Sequence, residues 1–170
     1  MKTTPKPLAN MKPVLVVGGG PVGLTTALGL GFYGLPFQLF EEDAGLSSDT
    51  KAGTVLTRTL EAFRRYGVAD RVLAKALRVD EIGDVERATG TARPSVRADL
   101  LADETRYPFV INMPQHHLEP ILHQALNEKH PGQVHLQHKL TGFRTTDDGV
   151  VASFDTPDGP RDVEGSYLLA

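Results

Sequence analysis

The 170-residue chain has no cysteine and no tryptophan. Without cysteine there can be no disulfide, thiolate metal site or cysteine nucleophile. Apolar runs never approach the roughly 20 residues of a membrane span. Basic runs are equally absent, and a formal charge of −3 argues against nucleic acid as a partner. There is no Gly-x-Ser-x-Gly elbow and no Ser/His/Asp set recognisable from spacing. Met1 to Lys12 carries three lysines and two prolines but no apolar stretch, so it reads as a flexible lead-in rather than a signal peptide, with cytoplasmic residence expected. An apolar share of 40% with 23% charged residues describes an ordinary chain able to bury one core.

Glycine, by contrast, is abundant, at 17 residues, and its placement near the start is informative. Val14 to Val17 is a continuous apolar run, the pattern of a strand buried on both faces. Gly18-x-Gly20-x-x-Gly23 follows in the spacing of a dinucleotide-binding fingerprint. Gly18 would make the sharp turn, Gly20 would let backbone approach a pyrophosphate, and Gly23 would let a helix lie close to the strand. The free N–H groups at the start of that helix would face the phosphates, with Pro21, which has no N–H, pre-setting its first turn beside Val22. Leu24, Ala27, Leu28 and Gly31 then repeat at helical spacing, and Gly34 supplies the stop. Pro36 to Phe40 reads as a second strand, ending on Glu41 at the interval of a ribose-binding acid. Glu42 and Asp43 extend the acid run, which would repel a 2′-phosphate. The pocket therefore suits FAD or NAD rather than NADP.

Further along, residues 43 to 54 form a Gly/Ser/Asp-rich loop. A helix is predicted over Arg58–Tyr66, with Leu60 and Phe63 inward and Gly67 as its stop, and a shorter one over Asp70–Leu77. Alternation from Val79 to about Val110 predicts antiparallel strands with turns at Thr89-Gly90 and Arg93-Pro94. Pro114 opens a helix to Lys129 with Leu118, Ile121, Leu122 and Ala125 as its buried stripe, stopped by Pro131-Gly132. A meander is expected next, from Val134–Gln137 through Leu140–Thr146 and the Asp148-Gly149 turn to Val150–Phe154. Tyr167 to Leu169 reads as the start of another buried strand, so the chain is expected to stop in mid-fold.

Taken together these segments resemble the N-terminal part of the class A flavoprotein monooxygenases, the FAD-dependent aromatic hydroxylases. Four stretches carry the likeness: Val17 to Leu24 with its proline inside the glycine motif, the Phe40-Glu41 strand end, Thr50 to Glu61, and Gln115-x-x-Leu-Glu119-x-x-Leu122. Lys51 stands where that family usually has an arginine, so an ammonium replaces a planar fork. The resemblance implies an α/β, Rossmann-like FAD-binding fold with a parallel sheet, an antiparallel β insertion and a β-meander, and a truncated one. It places a dinucleotide-binding portion at 13–78, part of a substrate-domain sheet at 79–113, and the rest of the FAD-binding portion at 114–170. It implies FAD as cofactor, NADH or NADPH as co-substrate, and a small aromatic substrate. It also implies a homo-oligomer or the remainder of a longer chain as further partner. The expected cofactor site is Gly18, Gly20, Pro21, Val22, Gly23, Glu41, Glu42, Lys51 and Gln115, the last near the flavin. No residue is singled out as catalytic acid or base.

Two other readings compete: an NAD-binding dehydrogenase or reductase domain, and a non-catalytic dinucleotide-binding module. The proline after Gly20 and the antiparallel insertion count against the first. Among rival constellations, His116, Glu119 and His123 share helical spacing but lack the further ligands and supporting shell a metal needs, and no metal is expected. His135 and His138 bracket Leu136 and read as outer-face residues. Asp147-Asp148 is turn chemistry, and Arg64, Arg65 and Arg71 read as a solvated helix face.

Overall fold

The structure, a computed structural model, describes residues 11–48 and 53–170, the side chains of Pro94 and Val96 excepted. In chain order its elements begin with β1 (Val14–Val17), α1 (Pro21–Phe32), β2 (Phe37–Phe40), β3 (Thr54–Val55), α2 (Thr57–Arg65) and α3 (Ala69–Leu73). There follow β4 (Leu77–Val79), β5 (Glu81–Val85), β6 (Ala92–Arg97), β7 (Val110–Asn112) and α4 (Gln115–Lys129). The chain continues through β8 (Val134–His135), β9 (Lys139–Thr146), β10 (Gly149–Asp155), β11 (Arg161–Gly165) and β12 (Tyr167–Leu169). Two compact units result: the described residues up to Ser47 with Leu122–Ala170, and Ser48–Ile121. No helix among the described residues is long and apolar enough to cross a membrane.

The first unit is built on a parallel sheet in the order β12-β1-β2-β8. Side chains alternate across it. Val16 points toward α1, whose buried residues are Leu24, Ala27, Leu28 and Gly29. Leu15 and Phe40 point the other way, into a core completed by Val150, Ala152, Phe154 and Val163 of the antiparallel β9-β10-β11 meander. Phe40 stacks on Phe154 with ring centroids 4.3 Å apart. Gly31 carries no core side chain. Instead the His130 ring lies against its bare Cα, with Nε2 2.2 Å from where a Cβ would stand.

Two expectations for this unit need correcting. β8 is not the head of the meander. It joins the parallel sheet, with Leu39 opposite Val134 and Phe40 opposite His135. Gln137 then takes a left-handed φ of 57° before β9 begins. That register also overturns the outer-face reading of the histidines. Opposite Phe40, His135 shares its face, and the two rings stack at 5.0 Å and 18°. His138 lies 5.4 Å from His135 and 6.3 Å from Phe154. β12 forms where a further strand is expected, parallel to β1, and its Leu168 packs against the core around Leu15 and Phe40.

In the second unit β3, β7 and β4 form a three-stranded antiparallel sheet and β5 pairs with β6 as a hairpin. α2 buries Leu60 and Phe63, as its spacing predicts, and Gly67 follows at φ 74°. α3 stops at Leu73, and Leu77, expected as helix, opens β4 instead. Arg93-Pro94 is not a turn: Pro94 pairs with Gly83 inside β6, beside a register shift at Ile82/Gly83. A two-stranded ribbon is all edge, so a proline without an N–H is tolerated there. The reversal occurs at Gly90, whose φ is 69°.

Candidate cofactor-binding site

The glycine turn lies where β1 ends and α1 begins. Gly18 has φ +103° and donates to Phe40 O at 2.8 Å, a backbone state L side chains rarely adopt. Gly20 is the N-cap, at φ −71° and ψ −179°, and Pro21 occupies the first helical position. The first backward bond of the helix runs from Leu24 N to Gly20 O at 3.0 Å. The N–H groups of Val22 and Gly23 thus precede the helical ladder and have no carbonyl of their own helix to meet. A Cβ on Gly23 would stand 1.9 Å from Gly18 O, so only glycine allows this approach of helix to turn.

A cleft of about 260 Å³ opens here, at the carboxyl ends of β1 and β12. Gly18, Gly20, Pro21, Val22 and Gly23 all line it, with Thr26 and Leu169 among the rest, and its lining carries no charged side chain. The sheet order makes the position meaningful. From β1 the chain steps outward to β2 and then β8, before returning to β1's other side as β12. The cleft is therefore at the switch point of an open sheet, the place where such sheets take ligands. With N–H donors and a helix dipole, it suits a phosphate.

Glu41 is fixed at the rim of this turn. One carboxylate oxygen accepts a hydrogen bond from the N–H of Gly19, and the other accepts from Asp43 N at 3.0 Å. Its main chain is held as well, N donating to His135 O at 2.9 Å and O accepting from His138 N at 2.8 Å. Gly19 is a residue the sequence reading missed, because a run of three glycines was read only through its first and third. A Cβ there would sit 2.9 Å from Glu41 Oε2, and the uninterrupted run was the available signal. Glu42 turns aside to Lys139, with Oε2 3.4 Å from Nζ and both side chains exposed.

Gln115 is in the second unit at the start of α4. It is 9% exposed, and its Nε2 donates to Oε1 of buried Glu119 at 2.6 Å. Lys51 lies outside the described residues. His123 is bonded to Asn127 on its own helix. Among the described residues no group of three His, Cys, Asp or Glu could hold a metal ion. His135 is notable in another way: its Nε2 is buried without a hydrogen-bond partner. Burial holds its pKa below the ordinary 6.5, with smaller contributions from His138 and Arg161.

A glycine turn, a charge-free cleft at a helix N-terminus and a fixed carboxylate together fit the pyrophosphate and ribose of a dinucleotide. The family of FAD binding domains matches residues 11–170. The chain belongs to that family. It is 38% identical over 183 residues to aklavinone 12-hydroxylase DnrF of Streptomyces peucetius subsp. caesius, across 96% of the chain and 36% of that protein. Its fold matches the crystal structure of p-nitrophenol 4-monooxygenase PnpA from Pseudomonas putida DLL-E4 with a TM-score of 0.83 and 26% identity, covering 93% of the chain and 40% of PnpA. It likewise matches the flavin-dependent monooxygenase PieE, solved with FAD and substrate, with a TM-score of 0.79 and 32% identity over 93% of the chain and 29% of PieE. The chain spans less than half the length of the relatives it matches. The Rossmann-like fold and the flavoprotein resemblance read from the sequence are those found. Membership also decides between FAD and NAD as the cofactor of this domain, in favour of FAD.

Proposed function

We propose that this FAD-binding domain serves an NAD(P)H-dependent monooxygenase that hydroxylates an aromatic ring. The carrying observation is the glycine turn and cleft at the sheet's switch point, joined to relatives named as hydroxylases and monooxygenases. On this reading the turn from Gly18 to Gly23, with Pro21 and Val22, receives the FAD pyrophosphate on backbone N–H groups. Glu41 accepts from the adenosine ribose diol, while Glu42 and Asp43 supply field against a 2′-phosphate. Lys51 meets the phosphates as a point charge, and Gln115 contacts the flavin. When bound, FAD supplies the redox and oxygen chemistry. The chain's own residues bind and orient it, and none of them is cast as acid or base. A small aromatic compound would be the substrate, and a reduced nicotinamide the co-substrate.

The test is direct. The purified chain, incubated with FAD and desalted, should keep the two-band visible spectrum of an oxidised flavin. A colourless protein that instead binds or turns over NADH would replace this reading with that of a nicotinamide-dependent dehydrogenase or reductase domain.

A further inference from the structure

One side chain in α4 is out of place for a core position. Glu119 is 1% exposed, and burying a carboxylate is costly unless it is bonded. The stripe it begins continues through Leu122 and Leu126, both fully buried, so an apolar residue would fill the position without that cost. One partner of Glu119 is Gln115. These residues are one helical turn apart, and Gln115 Nε2 donates to Glu119 Oε1 at 2.6 Å. A carboxylate offers only acceptors, so it must face the nitrogen end of the amide. The carbonyl end of Gln115 is thereby turned the other way, and no described residue donates to it.

We infer that Glu119 is a positioning residue, which sets the amide of Gln115 so that its carbonyl oxygen is offered to a donor group of FAD, a ring N–H or a ribityl hydroxyl. The inference rests on the proposal that Gln115 contacts the flavin, and deepens it by assigning which atom makes the contact. Without the carboxylate the amide could turn over and present N–H groups to the same donor, a repulsive arrangement. The neutral amide in E119Q loses the restraint, because it can donate or accept.

The experiment is a double-mutant cycle on the full chain: wild type, Q115L, E119Q and Q115L/E119Q. FAD affinity is read by flavin fluorescence quenching, and the position of the bound flavin's visible bands is read beside it. Q115L and E119Q should each weaken FAD by about three- to tenfold. E119Q should also shift the bands, and in the Q115L background it should do neither. Additive losses, or a band shift that persists in the Q115L background, would show that Glu119 acts independently and overturn the inference. Unchanged affinity in Q115L would overturn the flavin contact itself, and absence of FAD binding by the wild type would overturn the proposed function. Where E119Q folds poorly, E119D decides: its acceptor falls one methylene short of the amide, so wild-type affinity and spectrum in E119D would likewise refute the role.

Discussion

The three fingerprint glycines have separable jobs, and alanine scanning should pull them apart. In Gly23→Ala the new methyl would lie 1.9 Å from Gly18 O and 3.1 Å from Gly18 C. Both neighbours are main chain and Gly18 is itself in a constrained turn, so relief requires helix and turn to separate by more than an ångström. Overpacking costs about 1–3 kcal/mol, and a backbone-on-backbone clash belongs at the upper end. For a chain of this size about 3 kcal/mol lowers Tm by roughly 6–12 °C. Gly20 differs, because its φ of −71° and ψ of −179° are open to any residue. Gly20→Ala should leave the apo Tm within about 2 °C yet raise the Kd for FAD by about tenfold or more, since the methyl stands on a residue lining the cleft. Thermal melts without cofactor and FAD titrations of both variants provide the assay. A Gly23→Ala protein with wild-type Tm, or a Gly20→Ala protein with wild-type FAD affinity, would refute this division of labour.

Glu41→Gln removes the charge from an acceptor held by two backbone N–H groups. Losing a charge-assisted bond to ribose should weaken FAD by about tenfold or more, and an unchanged Kd would remove Glu41 from the site. Lys51→Arg should maintain or tighten FAD binding and Lys51→Ala weaken it, with a penalty that shrinks at high salt. Titrations at two ionic strengths check both, and no change in either variant would make the lysine an ordinary solvated charge. The His135 pKa is depressed in the fold, so its contribution to stability is present above the unfolded value of 6.5 and lost as pH falls below it. Melts between pH 7.5 and about pH 5 should show wild type losing more stability than His135→Phe, and parallel curves would contradict this.

The segment from Val14 to Glu41 was legible because each local signal agrees with its neighbours: an apolar run, a glycine spacing, a helical period and a strand-end acid. What the sequence hid depended on distant partners. β8 has two residues, too short to show a period, so its departure from the meander left no trace. His135 took its face from its register with Phe40, which composition cannot supply. Arg93-Pro94 carries a real turn signal, overridden because the hairpin accommodates proline beside its irregularity. Glu119 enters the sequence analysis only within the Gln115 motif and at helical spacing from His116 and His123, because nothing in a charged residue announces that it is buried.

The nucleotide preference proposed for the cleft depends on how completely Glu41 is held without any ligand. Its carboxylate is tied to Gly19 and Asp43, and its own N–H and C=O to the strand and turn at His135 and His138. The glycine turn and the neighbouring Asp43 therefore hold the side chain, while a segment remote in sequence holds the main chain beneath it. A ribose diol would find its acceptor already oriented, so little freedom would be lost on binding. A 2′-phosphate would meet a carboxylate unable to swing aside without giving up those bonds, with Glu42 and Asp43 beside it. Gly19 is essential to this arrangement, because any side chain there would push against the carboxylate. Gly19→Ala should therefore weaken FAD binding by displacing Glu41, although Gly19 contributes nothing to the cleft lining itself. In a Glu41→Ala background the same Gly19→Ala change should have little further effect on FAD affinity. Equal losses in both backgrounds would show that Gly19 acts through the turn, and that Glu41 is not the residue it supports.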